Sequence, residues 1–76
     1  MTALAKLTVG QRGRVAAIEG ADDVTLRLLE MGLTPGVELS LLGVAPLGDP
    51  IEIELRGYRL SLRKSEASRI DVEVLA

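Results

Sequence analysis

Apolar residues recur at spacings of three and four between Leu26 and Leu33 and at alternate positions through most of the chain beyond Gly36, which predicts one amphipathic helix ahead of a mainly β remainder. On that helix Leu26, Leu29 and Leu33 share one side, Leu28 and Met31 lie on its margins, and Arg27 and Glu30 face outward. Asp22 or Asp23 is positioned to cap its start, where a carboxylate accepts orphan backbone N–H groups and meets the positive end of the helix dipole. Gly32 falls where a left-handed C-terminal cap is expected, Leu33 folds back onto the helix, and Pro35-Gly36 suits the central positions of a type II turn.

Strict alternation marks the strands. A polar, glycine-bearing stretch over 8–13 leads into a short strand over 14–18. Residues 37–41 alternate so that Val37, Leu39 and Leu41 point inward, and two prolines, Gly48 and Asp49 make 45–50 a loop. Residues 51–56 and 58–63 alternate around a tight reversal at Gly57 and read as a hairpin with one apolar face. Ser65 is placed to cap a single helical turn over 66–68, and 70–74 alternate as a closing strand. About five short strands cannot fill two sheets, and an open sheet would expose long edges. A small closed barrel with the helix plugging or flanking one end is the economical solution.

Composition narrows the chemistry. The 76 residues are expected to form one domain over 1–76, burying about 60% of the unfolded surface. Aromatic residues are 1% of the chain against 47% apolar, so aliphatic side chains must fill the core and Tyr58 is the only ring available for stacking. Nine basic against eleven acidic residues give a net charge of −2 with no basic run, which argues against nucleic acid. Without cysteine there is neither disulfide nor thiolate ligand, and without histidine the commonest general base and transition-metal ligand are both missing. No cofactor is expected. The N-terminal residues lack a signal-peptide core and no apolar run approaches a membrane span, so a cytoplasmic chain without direct membrane insertion is expected.

The chain resembles the FeoA-type small proteins of bacterial ferrous iron uptake. The likeness rests on Leu7, Gly10 and Gly13-Arg14-Val15, on Arg27 through Gly36, on Ala45 through Ile51, and on Leu60 through Ala67 with Ile70. The resemblance implies an SH3-like barrel and a cytoplasmic accessory of the membrane transporter FeoB, reaching the inner membrane only through that partner. FeoB carries a GTP-binding domain, whereas this chain has no Gly-x-x-x-x-Gly-Lys-Ser/Thr run of its own.

These residues therefore point to a protein-binding surface. A single short helix on a small barrel has more apolar positions than one stripe can bury, so Leu26, Leu28 and Met31 are candidate partner contacts. Pro46, Leu47 and Asp49 of the stiff loop are the other candidates. Glu19, Asp22 and Asp23 could offer oxygen to a divalent ion, but capping explains them better, and no metal site is assigned. The alternative class is a metal-responsive regulatory domain that binds a divalent ion through carboxylates. Glu52 and Glu54 read as a solvated strand face, and the serines have no histidine to activate them, so an enzyme is not expected. Arg56, Arg59, Arg63, Lys64 and Arg69 gather positive charge late in the chain, either for solubility or to steer an acidic surface.

Overall fold

Local chemistry sets where each element starts and stops. The computed structural model describes residues 1–75, so Ala76 of the expected domain lies outside the described residues. In chain order the elements are β1 (Thr2–Ala3), a 3-10 turn (Leu4–Lys6), β2 (Arg12–Ile18), α1 (Asp23–Glu30), β3 (Glu38–Val44), β4 (Ile51–Leu55), β5 (Tyr58–Leu62), α2 (Lys64–Ala67) and β6 (Ile70–Leu75).

Asp22 is the N-cap of α1: its Oδ1 accepts from the Thr25 N–H at 3.2 Å. At the other end the Gly32 N–H donates to the Leu29 carbonyl at 3.0 Å and the Leu33 N–H to the Leu28 carbonyl at 3.1 Å. These two bonds are the paired closure of a Schellman motif, and Leu33 and Leu28 meet in the core as that motif requires. The Val37 N–H then donates to the Thr34 carbonyl at 3.1 Å across Pro35-Gly36, which completes the expected turn.

The strands form one antiparallel sheet in the order β1-β6-β2-β3-β4-β5. Its inward residues Val15, Leu39, Leu41, Ile53, Leu55, Leu62, Ile70 and Val72 build a continuous aliphatic core. Two register shifts bend it, one between Val15 and Ala17 in β2 and one between Leu41 and Gly43 in β3. The first also changes the phase of β2, so that Ile18, three residues after Val15, still packs against the core. Hydrogen bonding does not run from β1 to β5. There the 3-10 turn lies against α2, and Leu4 and Ala67 are both fully buried. Side-chain packing replaces the missing ladder.

Three features differ from the sequence-based expectation. The N-terminal residues supply a strand, a 3-10 turn and the buried Leu4 and Leu7, where the hydrophobic pattern predicts no element. The buried side of α1 carries Thr25 and Leu28, with Val24 and Met31 packed beside them, while Leu26 faces out and Leu29 is half-buried. The expected phase counts Leu33 as helical, yet α1 ends at Glu30 and Leu33 reaches the core through the turn beyond it. Finally, the N-cap of α2 is Arg63, not Ser65, because Glu66 Oε1 accepts from the Arg63 N–H at 2.9 Å and Asp49 Oδ1 from the Lys64 N–H at 3.0 Å.

Candidate functional surface

The outer side of α1 results from its tilt onto the core. With Leu28 pointing in, Leu26, two residues earlier and so about 200° around the helix, is turned away and stays 58% exposed. Leu26, Leu29 and Ala21 line a shallow hollow of about 420 Å³, edged by Asp22 and Asp23 at the helix start. Leu28 is 0% exposed and cannot meet a partner; its candidacy as a contact residue is corrected to a core position. Met31 is half-buried against the core.

The loop between β3 and β4 is a built turn. The Gly48 N–H donates to the Ala45 carbonyl at 2.7 Å, and the Ala45 N–H donates to the Pro50 carbonyl at 3.0 Å. Pro46 and Leu47 occupy the two central positions, and Leu47 is 97% exposed at the tip. Asp49 is exposed as well, but its carboxylate accepts the Lys64 N–H and so ties the loop to α2. The hollow beside this loop is lined by Gly43, Val44, Ala45, Pro50, Ile51, Glu52 and Ser61 and shares no residue with the one beside α1. What joins the two regions is α2, held by Asp49 on the loop side and by an Arg27–Glu66 ion pair on the α1 side.

Electrostatics hold the frame. Asp22 Oδ1 also receives Arg69 Nη1 at 2.7 Å and the Thr25 hydroxyl at 3.3 Å. Its carboxyl is pulled down to about 2, first by the Arg69 guanidinium and then by the Thr25 N–H. Arg69 is raised in turn by Asp22. Across the sheet, Arg12 and Arg14 of β2 pair with Glu38 of β3, and Arg14 also pairs with Glu73 of β6 at 3.0 Å. The two guanidinium groups hold Glu38 below the usual carboxylate range, Arg12 foremost. Asp22 is thus committed to capping and to Arg69, and among the described residues no group of three or more carboxylates gathers as a metal site.

Two contributors are invisible to sequence reading. Tyr58 donates its hydroxyl proton to the Met31 carbonyl at 2.6 Å and so closes the end of α1 from the hairpin. Glu66 links α2 to α1 through Arg27, which the helical pattern identifies only as an outward charge. The partners are 27 and 39 residues apart in the chain, so no local pattern could have paired them.

The FeoA domain model matches residues 2–74. A fusion protein of Porphyromonas gingivalis, Fe(2+) transport protein A joined to Fe(2+) transporter FeoB, is 33% identical over 73 residues, which are 96% of this chain. The chain spans only 9% of that protein's length. The solution structure of the Chlorobium tepidum FeoA superposes with a TM-score of 0.90 at 41% identity, covering 100% of this chain and 71% of that one. The Stenotrophomonas maltophilia FeoA, a prokaryotic SH3 domain protein crystallised with zinc, gives 0.82 at 30% identity, covering 96% and 89%. With its curled six-stranded sheet, capped helix and matching relatives, the chain belongs to the FeoA family and has that family's SH3-like fold.

Proposed function

We propose that this chain is a non-enzymatic accessory of bacterial ferrous iron uptake that binds a FeoB-type membrane transporter, at its cytoplasmic GTP-binding part. The observation that carries the reading is the Porphyromonas gingivalis relative, in which the two components are one polypeptide. Covalent union in one organism favours a contact between separate chains in another, because fusion raises the effective concentration of a contact without creating it. The exposed Leu26 edge of α1 and the Leu47 turn are the docking elements, each an aliphatic group held on a rigid support. No helix of the described residues is long and apolar enough to cross a membrane.

Binding of the purified chain to the isolated GTP-binding part of the transporter tests this reading. Leu26→Asp and Leu47→Ser each weaken capture at unchanged melting temperature if these residues dock. Undiminished capture by both variants would reject the surface, and no capture by the unaltered chain would reject the partner segment.

The zinc complex of the Stenotrophomonas maltophilia relative supports a second reading, a metal-responsive regulatory domain using carboxylates. Calorimetric titration with Zn²⁺ and Fe²⁺ separates the two. Stoichiometric micromolar heat favours the sensor, and its absence the adaptor.

A further inference from the structure

Three arginines line the cleft between α1 and α2. Arg27 from α1, Arg63 at the start of α2 and Arg69 just after it line the cleft with Val24, Ser65 and Glu66. Glu66 is its single carboxylate, and both oxygens are already used, Oε1 by the Arg63 N–H and Oε2 by the Arg27 guanidinium. The Glu66 side chain is only 12% exposed, which makes it the floor of the cleft and not a competitor at its mouth. Arg69 spends one nitrogen on Asp22, which is not among the residues lining the cleft, and the Arg63 guanidinium forms no ion pair among the described residues. Each guanidinium carries five donors, so most remain unspent.

On the sheet, several guanidinium groups face carboxylates. Arg12 and Arg14 face Glu38 and Glu73, and Arg59 faces Glu52. With Arg27 paired to Glu66 and Arg69 to Asp22, Arg63 brings an unmatched positive charge to a concave site in a chain of net charge −2, which focuses the field there. We infer that this cleft binds a phosphate-type oxyanion, with Arg63 as the principal ligand and Arg27, Arg69 and the Ser65 hydroxyl as flanking donors. Planar guanidinium donors suit a tetrahedral oxyanion, which accepts two parallel bonds from one arginine. The volume, about 340 Å³, admits a phosphoryl or pyrophosphoryl group. Val24 is the only aliphatic lining residue and no ring is present, so the charged group is what the cleft recognises, not a base or an acyl chain.

The test monitors backbone amide shifts of the whole chain in solution during titration with inorganic pyrophosphate at low and at high salt. Saturable shifts are expected at Ser65, Glu66 and Arg69, weakening as salt rises. Arg63→Gln leaves the melting temperature unchanged, because only the backbone of Arg63 is bonded, and weakens binding about tenfold. Arg59→Gln removes the same charge outside the cleft and changes binding by less than about twofold. Co-sedimentation with phosphatidylglycerol-containing vesicles, compared with pure phosphatidylcholine, identifies the source: uptake lost in Arg63→Gln marks a lipid headgroup, and pyrophosphate binding without vesicle binding marks a soluble phosphate. The inference is overturned if neither probe binds, or if Arg63→Gln and Arg59→Gln weaken binding equally.

Discussion

Gly32 and Tyr58 act on each other across the end of α1. Gly32 holds φ at +104°, and a Cβ built there would lie 2.6 Å from the Tyr58 hydroxyl oxygen. Gly32→Ala therefore brings a left-handed alanine, costing about 1–2 kcal/mol, and also evicts the ring that donates to the Met31 carbonyl. Tyr58→Phe alone forfeits one partly exposed hydrogen bond, about 0.5 kcal/mol. Because both changes act on the same contact, the double variant is less destabilised than the sum of the two; strict additivity in urea unfolding would show that they are independent. The hairpin offers the opposite opportunity. Arg56 and Gly57 both have positive φ, 51° and 82°, as a two-residue type I′ loop demands, yet the first position prefers asparagine. Arg56→Asn is expected to stabilise the chain by up to about 1 kcal/mol, read as a rise in melting temperature.

At the scale of the element, α1 divides into a half that folds the molecule and a half that is free. Leu28→Ala should cost about 2–5 kcal/mol, since a fully buried leucine leaves a cavity, whereas Leu26→Ala should barely register in thermal unfolding. The start of the helix carries the pH response. Asp22 titrates at about 2 when folded and near 3.8 when not, so its contribution is complete above the unfolded value and is lost as pH falls from about 4 toward 2. Asp22→Asn keeps an N-cap oxygen but removes that dependence, which flattens melting temperature against pH across this window. An unchanged acid slope would assign it to another carboxylate, Glu38 first. The cap and stop of α1 were legible in the sequence because they depend on a few adjacent residues, Asp22 or Asp23 at the start, of which the structure uses Asp22, then Gly32, Leu33 and Pro35. Its rotation was not. Leu33 sits past the last helical residue, and the spacing of apolar letters cannot tell a helical position from one reached through a turn.

For the molecule as a whole, the mainly β plan was readable because Val37, Leu39 and Leu41, then Ile51, Ile53 and Leu55, alternate and are all buried. The bulges were not, since one extra residue at Ala16 or Leu42 leaves composition untouched and changes only the phase. Nor was the role of Leu4 and Leu7, two apolar residues in a stretch too short for periodicity to be recognised. Of the candidate surface, Leu47 was legible because prolines and Gly48 mark an exposed loop, while the outward turn of Leu26, counted in the sequence on one side with Leu29 and Leu33, and the joining of α1, α2 and the loop through Glu66 and Asp49 required the fold. The gap between β1 and β5 sets a hierarchy of opening. Amides on the outer side of β5 have no ladder partner, whereas β6 and β2 are flanked on both sides, so deuterium should enter β5 through small fluctuations and β2 and β6 only through global unfolding. Should β5 exchange as slowly as β2, the packing of α2 over the 3-10 turn seals that seam as tightly as a continuous ladder would, and the molecule opens as one cooperative unit.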